Sequence, residues 1–368
     1  MYIYLKNYNG INCIYSYSKD LDNVSILLNQ GKNVLFHDSD KCYLYPDNTF
    51  FFIDSEETEK LNILCEEDVL QFRDNGVGFV FYSSEADDNT IVPTCVCNSN
   101  CVMCPIPENV RRNSDISNID FLLLQAKHIP KGAKHITLTG GEPFVLGKDI
   151  FILLKYIRDE LPYTSLQILT NGRIFASKAY FNELINSIPS NLEIGIPIHG
   201  ANKDVHDYIT SAPGSFDQTI IGIKRLIARG IKVELRIVVS KLNAAYIKDI
   251  ASLIVKEFPK VNSVKIMGLE MLGNAAVNME SVWLPYQDAF DSSEDAINIL
   301  LSAGIDVAIY NFPLCVVPQK YWGIYKRSIG ESKTKYLAEC DKCKEKAVCG
   351  GFFSGTIRLI DKVTPYYD

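Results

Sequence analysis

The stretch CVCNSNCVMCP, residues 95–105, gathers four of the chain's eleven cysteines into one short segment. Thiols this dense serve a disulfide knot, a zinc site or an iron–sulfur cluster. The N-terminal MYIYLKNYNG has no basic segment leading into an apolar run, and no apolar stretch is long enough to cross a bilayer. A cytoplasmic location with no membrane partner is therefore expected. Thiols stay reduced there, so the disulfide knot drops out first.

The 368 residues are 47% hydrophobic and 22% charged, enough apolar material for one large domain with smaller attachments. A net charge of −7 argues against a nucleic acid held on a basic footprint. Residues 1–90 read as short aromatic and β-branched strands separated by turn signals, with helical character only around 56–66. A β-rich N-terminal module is expected there, and NTFFFID (48–54) is a candidate exposed edge.

From residue 91 apolar strands alternate with amphipathic helices, such as 216–228 and 244–257. Strand candidates are TIVPTCV, HITLTG, LQILTNG, LEIGIPIHG, KVELRIVVS and NSVKIMG. This alternation predicts a parallel sheet with right-handed crossovers: an α/β fold, a partial (β/α)6 barrel over 91–303. A helix over 286–302 and a strand in GIDVAIYN follow, then an irregular cysteine-bearing region over 304–368. Parallel β/α architecture binds ligands at the carboxyl ends of its strands. CVCNSNCVMC, TGGEP, TNG, PIHG and MGLE each follow a strand, which puts them on one rim.

Cys97, Cys101 and Cys104 form C-x3-C-x2-C, one ligand short of a closed structural zinc site. Cys95 alternates away from Cys97 on the same extended strand. A 4Fe–4S cluster on three thiolates keeps one iron open to chelate an amine and a carboxylate. Spacing alone also permits zinc or a plain ferredoxin-type cluster. In TGGEP, Gly140 and Gly141 permit close backbone approach, and Glu142 offers an acceptor for an ammonium group; a plain tight turn is the alternative. Cys13, Cys42 and Cys65 read as buried small hydrophobes.

The three-cysteine loop, TGGEP and the six β/α units together resemble the radical S-adenosylmethionine (SAM) superfamily. The resemblance implies that Cys97, Cys101 and Cys104 hold the SAM-binding 4Fe–4S cluster and that Gly140, Gly141 and Glu142 receive the SAM amine. On this rim Asn171, in TNG, is a candidate to hydrogen-bond the ribose, and Arg236 resembles the family position near the carboxylate. Met267 and Gly268 would flank the adenine. TNG also reads as a simple turn, and Arg236 as half of a structural ion pair. Met103 departs from the aromatic that many members carry there. His199 and His206 are not assigned to catalysis.

A narrower resemblance runs in order from about residue 60 to residue 358, through CNSNCVMCP, IPIHG, HDYITSAPGSFDQTIIGI, VELRIVVSK, VKIMGLEMLGNA, YNFPLC and CDKCKEKAVCGGFF. These segments look like the HxsC-type maturases of His-Xaa-Ser systems. That branch implies a ribosomally made precursor peptide as substrate, an external electron donor and a heterodimer with a second radical SAM protein of HxsB type. Cys315, Cys340, Cys343 and Cys349 are then ligands of an auxiliary 4Fe–4S cluster, with a zinc ribbon as the alternative. The rival functions are radical SAM chemistry on a small molecule or an RNA base, and a non-catalytic iron–sulfur partner subunit.

Overall fold

The computed structural model describes residues 1–10, 12–86 and 88–367. Its N-terminal part is a seven-stranded sheet of β1 (Tyr2–Tyr4), β2 (Cys13–Ser18), β3 (Val34–Asp38), β4 (Lys41–Tyr45), β5 (Thr49–Phe52), β6 (Val69–Phe72) and β7 (Val77–Tyr82). The spatial order is β1-β7-β6-β2-β3-β4-β5, antiparallel except for the parallel pair β2–β3. The helix Leu21–Asn29 makes that one crossover. Sequence reading placed no helix there, because Asn, Ser and Val dilute its period. Asp20 nonetheless caps it through the Asp22 N–H, and Val24 and Leu27 are buried beneath it. The expected helical piece at 56–66 is Ser55–Asn62, with a capping box between Asp54 and Glu57.

NTFFFID contains β5, an edge strand, with Phe51 buried while Phe50 and Phe52 stand exposed. Of the cysteines read as buried, Cys42 is fully buried, but Cys13 and Cys65 are only half-buried. Cys65 follows the helix Ser55–Asn62 in a turn, and Cys13 opens β2, so neither lies in the sheet interior.

The second sheet is parallel and runs in sequence order through β8 (Thr90–Thr94), β9 (His135–Gly140), β10 (Ser165–Leu169), β11 (Leu192–Pro197), β12 (Lys232–Val238), β13 (Ser263–Met267) and β14 (Val307–Tyr310). The first six are the expected barrel strands. β14 extends the same sheet beyond residue 303, the limit drawn from sequence. β8 is the other edge, where Pro93 costs no ladder bond. The expected helix at 286–302 is two, Tyr286–Asp291 and Glu294–Ser302, parted at Ser292 and Ser293.

Alternation along the strands sorts the two faces. Ile136, Leu138, Ile168, Ile194, Leu235, Ile266 and Ile309 are buried in one hydrophobic cluster with the covering helices. Gln167, Glu193, Glu234, Arg236, Lys265 and Tyr310 alternate to the opposite, concave face. The N-terminal module joins the same core through Ile14, Val69 and Phe81 against the helix Ile119–His128. A buried histidine pins this contact: His128 Nε2 accepts the Asn33 N–H at 3.1 Å, and Nδ1 donates to the Leu124 carbonyl at 2.9 Å. Among the described residues, no helix is long and apolar enough to cross a membrane.

Candidate active site

The cysteine loop leaves β8 at Thr94 and is held by backbone contacts with three other rim segments. The Gly141 N–H donates to the Thr94 carbonyl at 2.9 Å and the Glu142 N–H to the Val96 carbonyl at 2.8 Å. A Cβ on Gly141 would lie 2.1 Å from the Val96 oxygen, which explains the glycine. Gly140 has φ +124, and its Cβ would meet the Thr94 oxygen at 2.4 Å. The close approach that the two glycines permit is therefore to the cysteine loop itself.

On a second side, the Asn100 and Val102 N–H groups donate to Thr210 and Ile209 carbonyls, at the end of the helix Lys203–Thr210. On a third, Asn274 donates through its backbone to the Cys104 carbonyl at 2.9 Å and through Nδ2 to the Cys101 carbonyl at 3.0 Å. Asn278 Nδ2 holds the Val102 carbonyl at 2.9 Å. From the β10 rim, Arg173 Nη1 reaches the Asn98 carbonyl at 2.7 Å and Ser99 Oγ at 3.0 Å. The Met103 side chain is buried with Ile209, Leu269 and Met271, anchoring the loop from below.

The loop brings Cys97, Cys101 and Cys104 within electrostatic reach of one another. Burial, then the charges of Cys104 and Cys97, push the Cys101 thiol up to about 12. Burial likewise raises Cys97, with Glu142 and Cys104 adding to it. Arg111 opposes the rise at both. Cys97, Cys101 and Cys104 together form a soft donor set suited to a cationic centre, since a bound metal stabilises the thiolate form. Among the described residues, no three His, Cys, Asp or Glu side chains are grouped as ligands of a metal ion.

Glu142 is buried, and its carboxylate accepts from the Phe144 N–H (3.1 Å), Thr170 Oγ1 (2.7 Å) and the Asn171 N–H (2.8 Å). Desolvation raises its pKa despite these donors. Asn171 spends its amide on the Asn98 side chain at 2.6 Å, and its Oδ1 accepts the Arg173 N–H. Arg236 Nε donates to Glu234 at 2.6 Å, and Lys265 lies 3.9 Å from the same carboxylate. The ion-pair alternative thus has its partner in place. Gly268 lies under the Asn311 carbonyl, 2.5 Å from where a Cβ would stand, beside half-buried Met267. His199 and His206 are buried, which pulls them down to about 3 and about 4.

The tail cysteines converge. Cys315, Cys340, Cys343 and Cys349 line one pocket with Leu314 and Phe352. Cys349 Sγ accepts the Leu314 and Gly351 N–H groups, both at 3.3 Å, and Cys343 Sγ accepts the Tyr366 N–H at 3.4 Å. Burial and the charges of Cys349 and Cys340 push Cys315 up to about 11. Sequence reasoning found these ligand candidates but missed Arg111, Arg173, Asn274 and Asn278. Only the placement of Asn274 and Asn278 beyond MGLE, on a rim loop, hinted at their role.

The three-thiol loop is strapped to the carboxyl rim of an open parallel α/β barrel, the end at which such folds bind their ligands. Residues 91–254 match the family model of the radical SAM superfamily. Members of that superfamily use SAM and a 4Fe–4S cluster. The chain is 30% identical over 159 residues to a probable GTP 3′,8-cyclase of Saccharolobus islandicus, covering 43% of this chain and 49% of that protein. It is 26% identical over 199 residues to AlbA, the antilisterial bacteriocin subtilosin biosynthesis protein of Bacillus subtilis, covering 52% of this chain and 43% of AlbA. The chain thus spans about half the length of the curated relatives it matches. Its fold is shared with native anSMEcpe, solved with bound AdoMet and the Cp18Cys peptide. The TM-score is 0.55 at 14% identity, over 76% of this chain and 92% of that one.

Proposed function

We propose that this chain is a peptide-modifying maturase of the HxsC type. Cys97, Cys101 and Cys104 are the ligands of the SAM-binding cluster, and Cys315, Cys340, Cys343 and Cys349 those of an auxiliary cluster. The bound cofactors supply one-electron cleavage of SAM to methionine and a 5′-deoxyadenosyl radical, which takes a hydrogen atom from an unactivated substrate carbon. For an oxidative crosslink, the substrate must lose one further electron and one proton, and a cluster held by Cys315, Cys340, Cys343 and Cys349 would supply an acceptor for that electron. An external donor restores the electron used to cleave SAM. Gly140, Gly141 and Glu142 face the methionine amine, and Met267 and Gly268 the adenine. Asn171 and Arg236 serve ribose and carboxylate by exchanging their present partners, Asn98 and Glu234.

The observation that carries this reading is the convergence of four tail cysteines on one apolar pocket with N–H donors on their sulfurs. A second redox site suits an oxidation in which the substrate radical must lose an electron. The match to AlbA supports a peptide substrate. The match to probable GTP 3′,8-cyclases favours a second reading, in which the substrate is a nucleotide. The HxsB-type partner completes the peptide site in the first reading.

The test uses anaerobically reconstituted protein, reductant and SAM, with and without the partner. Precursor peptide from a neighbouring reading frame and GTP are offered separately. Peptide-dependent 5′-deoxyadenosine with loss of two hydrogens from the peptide is expected. Turnover of GTP with an unmodified peptide selects the second reading. SAM cleavage surviving Ala at Cys97, Cys101 and Cys104 together removes the cluster assignment underlying both.

A further inference from the structure

Three lysine or arginine side chains are buried among the described residues: Lys32, Arg111 and Lys265. Lys32 faces Glu67, and Lys265 faces Glu234 and Asp306. Arg111 has no carboxylate partner among the described residues. Its Nη1 donates to the Ile106 carbonyl at 3.2 Å and its Nη2 to Asn100 Oδ1, both neutral acceptors. These bonds engage two of the guanidinium's five N–H donors and, both acceptors being neutral, leave its charge uncompensated. A buried charge without a counter-charge is costly, and arginine cannot escape the cost by losing its proton.

The position explains the expense. Arg111 sits in the short helix Glu108–Asn113, and its two acceptors bracket the segment carrying Cys101 and Cys104. Asn100 is also held by Asn274 Nδ2 at 3.1 Å, so the guanidinium meets a fixed acceptor on the loop. Three cysteine thiolates around a 4Fe–4S core carry net negative charge, which grows by one on reduction. Burial weakens salt screening of such an attraction.

We propose that Arg111 is the counter-charge of the SAM-binding cluster, a positioning residue that raises the cluster's reduction potential and so eases the electron transfer that starts the reaction. This rests on the assignment of Cys97, Cys101 and Cys104 as that cluster's ligands. The reduced cluster, being more negative, gains more from the guanidinium than the oxidised one. The cluster in turn relieves the buried arginine, so apoprotein and loaded protein respond to its removal with opposite sign.

The experiment compares Arg111→Gln and Arg111→Lys with the unaltered chain, all carrying Cys340→Ala and Cys343→Ala so that one cluster is read. Iron content, an EPR-monitored redox titration and thermal unfolding of apo and loaded protein are measured. Arg111→Gln is expected to favour the oxidised cluster about tenfold at fixed potential, a fall of about 59 mV for one electron. Arg111→Lys, keeping the charge, is expected to shift far less. Apo Arg111→Gln should unfold at or above the temperature of the unaltered apoprotein, while its loaded form unfolds below the unaltered loaded form.

An unchanged potential in fully loaded Arg111→Gln overturns the proposal. Equal shifts in the Gln and Lys variants also overturn it, because loop geometry and not charge would then be responsible. Where the Gln variant takes up no cluster, the apoproteins decide: a less stable apo Arg111→Gln makes the residue a strut. Failure of the ligand assignment is recognised separately, as cluster retention in the Cys340→Ala, Cys343→Ala chain with Arg111 intact after Ala replaces Cys97, Cys101 and Cys104.

Discussion

The Glu142 carboxylate accepts the Asn171 backbone N–H at 2.8 Å, joining the carboxyl ends of β9 and β10 beneath the cysteine loop. The same carboxylate holds Thr170, while the Glu142 N–H holds Val96. One residue thus fixes both the loop that carries the thiols and the turn at residues 170–172. Its two roles, strut and proposed amine acceptor, separate by experiment.

Glu142→Gln keeps the side chain's size and removes its charge. A hydrogen bond to a charged group contributes about 1.5–3 kcal/mol, so SAM affinity should fall about tenfold or more. Anaerobic equilibrium binding measures the Kd, and iron content checks that the cluster remains. A variant with full iron and unaltered SAM affinity would show that Glu142 acts only within the rim.

Gly141→Ala tests the strap without touching a ligand. Its Cβ would stand 2.1 Å from the Val96 oxygen and 2.4 Å from that of Cys95, both backbone. Neither can rotate away, so the loop must move. Overpacking of this kind costs about 1–3 kcal/mol. The expected result is a lower melting temperature and loss of iron from the first site, with tail iron retained. Full iron at the first site would contradict the strap.

Much of this rim was legible in the sequence because its markers are local. Three cysteines at fixed spacing, a Gly-Gly-Glu after an apolar strand and a strand–helix alternation each lie within one short window. What holds them together was not legible. Asn274 and Arg173 reach the loop from distant segments, and neither has a motif of its own. The N-terminal sheet shows the same limit. Its strands were visible as aromatic runs, yet the order that places β2 between β6 and β3 depends on pairings no local pattern encodes. Arg236 marks a different case, since its place inside an apolar strand was legible while its partner, Glu234, lies two residues away on the same face.

Acid should loosen the chain through its buried histidines. Burial lowers His128 to about 4, below the ordinary value of 6.5 that it regains on unfolding. Below pH 6.5 the unfolded chain therefore binds more protons than the folded one, and stability falls as pH drops. The contribution is complete above about pH 6.5 and, by pH 5, has lost on the order of 2 kcal/mol. Urea unfolding of the apoprotein at pH 7.5, 6.5 and 5 reads this. His128→Leu should be less stable at pH 7.5, having lost the bonds to Asn33 and Leu124, yet show a shallower fall toward pH 5. An equally steep fall would place the proton uptake elsewhere.

The tail decides which metal chemistry the second cysteine group supports. Its sulfurs lie against Leu314 and Phe352 and accept backbone N–H groups from Leu314, Gly351 and Tyr366. Such donors stabilise negative sulfur and raise a cluster's potential, which suits a site that receives an electron from a substrate radical. Cys340→Ala with Cys343→Ala should therefore remove about four irons per chain, since a 4Fe–4S cluster needs these thiolates. SAM cleavage at the first site should continue, while formation of oxidised product stops. Metal analysis beside 5′-deoxyadenosine and product assays distinguishes the outcomes. Zinc leaving with these cysteines, with product formation intact, would make the tail a structural ribbon and move the substrate's electron to an acceptor outside it.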